Sequence, residues 1–270
     1  MQRLTLWLNV IGAELWYIVN GKEKDDFSSA AREYALDHFH VKIDRFITPE
    51  DRTKVKTTIS VTEANFFDVK PIDAQGFEIG DFFESPKFFE SSKKIIRQSL
   101  KQIPSANHNS LKFLDLIRQH DSVAVHIRRE DFIRVRSDTL LPISYYIKAM
   151  LYMRDKLKSP HFFIFSDDPS FCRSIFANLA DSTVVSDPNN SSLDEFYMMR
   201  ECKHIIASNS TFGWWASWLN SNPNKIVIMP KPFFTDSYFK RAHNNTDQKV
   251  KLYTQEIYLN GWITINPFKL

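Results

Sequence analysis

Three short polar clusters follow directly on apolar runs, and their residue types could bind and activate a ligand that carries phosphate. The first is His126-Ile127-Arg128-Arg129-Glu130-Asp131. The second is Ser166-Asp167-Asp168, and the third Ser208-Asn209-Ser210-Thr211-Phe212. Adjacent arginines at a strand end point to opposite faces, so one can enter a cleft while the other braces it. Guanidinium forks match phosphate oxygens bidentately, which suits a diphosphate leaving group. The same pair also reads as a surface pair bridged to Glu130 and Asp131. His126 has a buried-strand pattern, so it either fills the core or orients the arginine loop. Asp168 before Pro169 makes a helix cap, whereas Asp167 could accept from donors on a purine edge. Paired acids also suggest a metal, but the chain has no D-x-D, no H-E-x-x-H and no clustered cysteines, so none is expected. The third cluster precedes a helix. Its hydroxyls and free N–H groups could hold a phosphate, or serve as an ordinary cap.

The elements that position these clusters begin near residue 121. Ser122 to Ile127, His161 to Phe165, Thr183 to Val185, His204 to Ala207 and Lys225 to Met229 read as strands. Between them, helices are predicted from Ser144 as cap through Leu157, from Asp168 to about Asn178, from Ser192 to near Cys202, and over Thr211 to Leu219. A polar loop is expected between Ile127 and Ser144. Such alternation predicts a parallel sheet with helical crossovers, a Rossmann-like half whose ligands bind outside the carboxyl ends of the strands. All three clusters lie at such ends. Trp214 and Trp218 share a helix face and read as core, as do Met198 and Met199. Lys231 to Phe234 and the aromatic tail to Trp262 either line a groove or cover the sheet.

Before residue 120 the pattern is irregular, with apolar bursts at Leu4 to Leu8 and Leu15 to Val19. Thr48-Pro49-Glu50-Asp51 opens a short helix. Ser85-Pro86 opens another running through Phe88, Phe89, Ile95, Ile96 and Leu100, and Lys101 to Ser110 reads as a loop. The expected division is 1–120 and 121–270.

Composition narrows the function classes. There are only six glycines in 270 residues, against an ordinary usage of roughly 7%. None falls in G-x-G-x-x-G or G-x-x-x-x-G-K, so a dinucleotide fingerprint and a Walker loop are both excluded. A formal charge of +3 is too weak to imply nucleic acid as a partner. Two cysteines, Cys172 and Cys202, cannot build a disulfide framework. No apolar run approaches a membrane span, and Glu14 interrupts the apolar start where a secretory signal is unbroken. A cytoplasmic location is expected.

Taken together, these blocks resemble the bacterial α-1,2-fucosyltransferases of glycosyltransferase family 11. The resemblance rests on His126-Ile-Arg-Arg-x-Asp131, Phe163-Ile-Phe-Ser-Asp-Asp168, the long run from Cys202 to Asn220, and Lys225-Ile-Val-Ile-Met-Pro230. Weaker echoes occur at Tyr34 to Phe39 and Gly80 to Phe89. The resemblance implies an α/β fold of the GT-B type with two Rossmann-like domains, and inverting, metal-independent transfer of fucose from GDP-fucose to the 2-OH of a terminal galactose. No cofactor is implied. The acceptor would be an oligosaccharide of the O-antigen type, whose lipid-linked form would bring peripheral contact with the inner membrane.

Carried over by position, Arg128 and Arg129 would hold the diphosphate, with Arg128 catalytic. His126, Ser166, Asp167, Asp168 and Glu195 would lie at the donor, Glu195 where the family usually has Asp. Ser208, Asn209, Ser210, Thr211 and Phe212 would form the phosphate loop. Asp131 is the candidate base, with Glu130 beside it. The family's opening strand and G-G-L-G-N-Q loop are not seen in this chain, so its N-terminal domain is expected to be incomplete. The alternatives are a GDP- or glycan-binding derivative without turnover, and a transferase of another nucleotide sugar.

Overall fold

The computed structural model describes residues 39–40, 57–59, 77–79, 86–101, 107–135, 137–238 and 256–269. Two units divide the chain, 1–101 and 102–270. In the first, β1 (Thr57–Ile59) and β2 (Phe77–Ile79) pair in parallel. The single helix expected from Pro86 is instead broken into two 3-10 turns, Pro86–Phe88 and Glu90–Ser92, followed by α1 (Lys93–Ser99). Phe89, at φ −132°, leaves the helical region as its ring is buried. The helix expected at Thr48 lies outside the described residues, as do the early apolar bursts.

The second unit is built on strands whose residues are buried almost without interruption, Ser122 to Ile127 and Phe162 to Ser166. Continuous burial belongs to parallel strands covered on both faces. Its elements are α2 (His108–Gln119), β3 (Asp121–Ile127), α3 (Glu130–Val135), α4 (Ile143–Lys156), β4 (Pro160–Ser166), α5 (Pro169–Phe176), β5 (Ser182–Val184), α6 (Ser192–Glu201), β6 (His204–Ile206), α7 (Thr211–Leu219), β7 (Val227–Pro230) and β8 (Ile263–Ile265). All six strands are parallel, in the order β5-β4-β3-β6-β7-β8. Numbered from β3 as first, this is the doubly wound order 3-2-1-4-5-6, and its switch point falls between β3 and β6. The Rossmann-like α/β expectation therefore holds for this unit.

One face packs Val123, Val125, Ile127, Phe162 and Ile164 with Tyr145, Tyr146, Ala149, Met150 and Met153 of α4 and Cys172 and Phe176 of α5. Strand alternation turns Ser122, Ala124 and His126 to the other face, which α2, α6 and α7 cover. α2 replaces the end of the expected loop, because Asn107 caps it by accepting from the Asn109 N–H at 3.0 Å. α3 occupies part of the expected polar loop. α4 starts at Ile143 behind Pro142, so Ser144 lies inside the helix and caps nothing; Tyr145 N–H closes the first turn on Pro142 O at 3.0 Å. Ser191, one residue before the expected Ser192, caps α6 in a reciprocal box with Asp194. β8 was not expected as a strand: three residues with Ile263 and Ile265 half-buried carry too little pattern to be read alone.

Candidate functional site

β3 stays paired with β4 to its last residue, Ile127 opposite Ser166, but with β6 only as far as Val125 opposite Ile206. The strand ends part at the switch point, and the three polar clusters surround that parting.

The arginine loop is braced from the neighbouring strand. Asp167 accepts from the backbone N–H of Arg129 at 2.8 Å and of Glu130 at 3.2 Å, and lies 3.1 Å from Arg128 Nε. Both Asp167 oxygens thus hold the loop, which places this carboxylate under the arginines. Arg128 Nε also donates to Asp131 at 2.8 Å. Burial works against the Arg128 charge, but Asp131, Asp167 and Glu130 outweigh it and keep the guanidinium pKa above its ordinary value. Burial pushes the Asp167 carboxyl up, held back by Arg128 and the two backbone donors. Arg129 donates Nε to Asp168 at 3.1 Å and lies 3.4 Å above the Phe171 ring, so it is fixed on both its edge and its face. Asp168 does cap α5, accepting from Phe171 N–H at 3.0 Å. The arginines are therefore ion-paired, but chiefly across to the β4 loop.

His126 sits behind this loop, buried, with Nδ1 2.8 Å from the Ser208 hydroxyl. Burial first, then the Arg128 charge, pushes its pKa down to about 3. Burial thus favours the neutral imidazole, packed behind the arginine loop against Ser208. Ser208 and Asn209 are both buried, and Asn209 donates to Thr139 O at 2.8 Å. The Ser208 hydroxyl and the Asn209 amide nitrogen tie the end of β6 to its surroundings, whereas Ser210 is half-buried and Thr211 exposed at the start of α7. Ser210 also caps that helix. The Phe212 ring is spent between His126 and Phe196, at 5.4 and 5.0 Å.

Ser166 and Glu195 meet through a residue the sequence reading missed. Ser186 Oγ accepts from Ser166 N–H at 2.7 Å and donates to Glu195 Oε2 at 2.8 Å. The signal was present: Val185-Ser186-Asp187 repeats the Phe165-Ser166-Asp167 pattern at the next strand end. Burial raises the Glu195 pKa from 4.5 to about 7, with the Ser186 hydrogen bond opposing it. The folded protein therefore keeps a proton that the unfolded chain has lost between those values. Stability from this group is full below pH 4.5 and falls as pH rises to about 7, in all by on the order of 3 kcal/mol. Glu195→Gln removes that titration. We expect wild type to lose stability relative to the variant from pH 4.5 to 7 and to run parallel above, in denaturant melts across pH; parallel curves throughout would show that the carboxyl is not buried as described.

Trp214, Trp215 and Trp218 are core, packed on one another and with Trp214 tied to Ile257 O at 2.8 Å. Among the described residues no three His, Cys, Asp or Glu side chains are grouped to hold a metal ion, and no helix is long and apolar enough to cross a membrane.

A family model described as "Glycosyl transferase family 11" matches residues 34–266. An alpha-1,2-colitosyltransferase from Escherichia coli is 32% identical over 161 residues, 57% of this chain and 54% of that protein. The O-antigen biosynthesis glycosyltransferase WbnK of the same organism is 35% identical over 122 residues, 42% and 39% of the two chains. The chain spans about half or less of the length of these curated relatives. Among solved structures, a NodZ alpha-1,6-fucosyltransferase soaked with GDP-fucose aligns with TM-score 0.38 and 17% identity over 58% of this chain and 59% of that one.

Proposed function

The chain belongs to glycosyl transferase family 11, and from that premise we propose that it transfers L-fucose from GDP-fucose to the 2-hydroxyl of a terminal galactose, without a metal ion. One observation carries the reading. Two arginines at the carboxyl end of β3, at the switch point, are pre-oriented by Asp131, Asp167 and Asp168. Fixed cations there can stabilise charge as it develops on a diphosphate, at no reorganisation cost during the reaction. The acceptor oxygen attacks the anomeric carbon as the bond to the diphosphate breaks, so configuration inverts and GDP leaves with the bonding electrons. The acceptor proton passes to a carboxylate, which the proposal assigns to Asp131, less than a third exposed beside Arg128. Ser210, Thr211 and the N–H groups of α7 complete the anion site.

A second reading keeps the fold and the chemistry and changes the donor. The similarity to an alpha-1,2-colitosyltransferase favours it, and the similarity to the O-antigen biosynthesis glycosyltransferase WbnK supports an acceptor of the O-antigen type. Purified protein incubated with GDP-fucose or GDP-colitose and galactose-terminated oligosaccharides separates the two. We expect a product of inverted configuration, formed at the same rate in excess chelator. Transfer that stops on chelation sinks the metal-free mechanism. GDP binding with no transfer from either donor leaves a binding protein and sinks the enzyme.

A further inference from the structure

Residues 128–142 join β3 to α4 and carry Arg128, Arg129 and, on α3, Asp131. The near end of this segment is held from β4, through the Arg129 and Glu130 N–H groups on Asp167. The far end, a 3-10 turn at Ser137–Thr139, is held from the opposite side. Asn209, just past β6, donates Nδ2 to Thr139 O at 2.8 Å, and Ser237, past β7, donates to Asp138 Oδ2 at 2.6 Å. With the strand order β4-β3-β6-β7, the segment is fastened on both sides of the parting between β3 and β6. In the chain, α3 lies between the two fastenings.

The two far contacts differ in kind. Ser237 is exposed, whereas Asn209 and Thr139 are buried. A buried carbonyl requires a donor, and the turn cannot supply one three residues on, where Pro142 has no N–H. Asn209 supplies it. Its own Oδ1, also buried, finds no donor. An unmatched oxygen costs stability, so packing does not account for an asparagine here, whereas the hydrogen bond to Thr139 does.

Resting on the transfer reaction above, we propose that Asn209 is a positioning residue for α3: by tethering Thr139 it keeps Asp131 in place beside Arg128, and it is not a ligand of the diphosphate. The tether then governs the step in which the acceptor loses its proton. The hold on the diphosphate is left intact, because Asp167 sets the arginine amides from the other side. A misplacement of about 1 Å by a residue away from the chemistry can cost about 10²-fold in rate.

The test compares wild type, Asn209→Ala, Ser237→Ala and the double variant by GDP titration, kcat and amide exchange. In Asn209→Ala, exchange over residues 137–141 should quicken, Leu140 above all, whose N–H donates to Ser137 O at 3.3 Å. Its kcat is expected to fall by about 10–10²-fold, while its GDP Kd stays within about threefold of wild type. Ser237→Ala, which loses one exposed hydrogen bond, should lower kcat by about twofold to fivefold. Both contacts hold the same turn, so the double variant should lose more than the product of the single losses. A GDP Kd that weakens more than kcat falls makes Asn209 a phosphate ligand and overturns the inference. Unchanged exchange over 137–141, or a kcat within twofold of wild type, overturns it as well. If Asn209→Ala does not fold, Ser237→Ala decides by the same split between kcat and Kd. Wild type that transfers from neither donor sinks the transfer reading before any variant is compared, and the exchange rates then decide the tether alone.

Discussion

Replacing Arg128 with alanine is expected to lower the rate of sugar transfer by about 10²–10³-fold, the usual loss when one fixed charge-stabilising donor is removed. The expectation follows from where the guanidinium is held. Its Nε is engaged by Asp131 and Asp167, so its plane is set before any ligand arrives. Arg128→Lys keeps the charge but replaces a planar fork with a point donor on a flexible stem. It should recover part of the rate and stay at least tenfold below wild type. Some stability is lost as well, because Asp167, with a side chain only 15% exposed, keeps its backbone donors but no longer has that counter-charge. A cost of about 1–3 kcal/mol is expected from leaving a charged group so matched.

The control is Arg154→Ala. Arg154 makes a two-pronged pair with Asp181 at 2.8 and 3.0 Å, before the amino end of β5 and far along the sheet from the crevice. It should leave transfer within twofold of wild type. Steady-state kinetics on the three variants decide the matter. An Arg128→Ala enzyme that retains more than a tenth of wild-type turnover would remove this arginine from the mechanism.

What the sequence made legible was whatever a local pattern could announce. Apolar runs closed by polar clusters located β3, β4 and β6 and put their carboxyl ends at the site. Asp168-Pro169 declared the start of α5, and the cap forms as read. The pattern failed wherever a contact rather than a neighbour decided the outcome. Arg129 resting on Phe171 joins residues that are 42 apart in the chain, and nothing about a phenylalanine one turn into a helix marks it as a stacking partner. Asp167 reads from its sequence position as an acceptor for a purine edge, and no local pattern announces that it accepts from the Arg129 and Glu130 amides, a contact made because β4 lies beside β3. Ser208 and Asn209 read as candidates for a phosphate loop, and no local pattern announces their contacts to His126 and Thr139. In each case the residue type was informative about chemistry and silent about direction, which the sheet order sets.

Gly213 is the sharpest case of that silence, and Gly213→Ala is the second large effect expected. As one of six scattered glycines it matched no phosphate-binding motif, and inside α7 alanine is the better helix former by about 1 kcal/mol. A Cβ at this position would nonetheless lie 2.7 Å from His126 Nδ1 and 3.3 Å from Ala207 Cβ. The imidazole has little room to give way, since Ser208 holds the same nitrogen at 2.8 Å and the Phe212 ring packs against it at 5.4 Å. The overlap therefore either breaks the Ser208 bond or lifts α7 from the sheet. Overpacking of this kind costs about 1–3 kcal/mol, enough to outweigh the gain in helix propensity. The larger consequence is functional, because lifting α7 carries Ser210, Thr211 and the opening N–H groups away from Arg128. GDP affinity is expected to fall by tenfold or more, well beyond what the loss of stability alone produces in a chain that is still folded. A double-mutant cycle isolates the cause. In a His126→Ala background the clash has no partner, and Gly213→Ala should then cost little or even stabilise the helix. Equal costs in the two backgrounds would show that the glycine is needed for some reason other than the approach of His126.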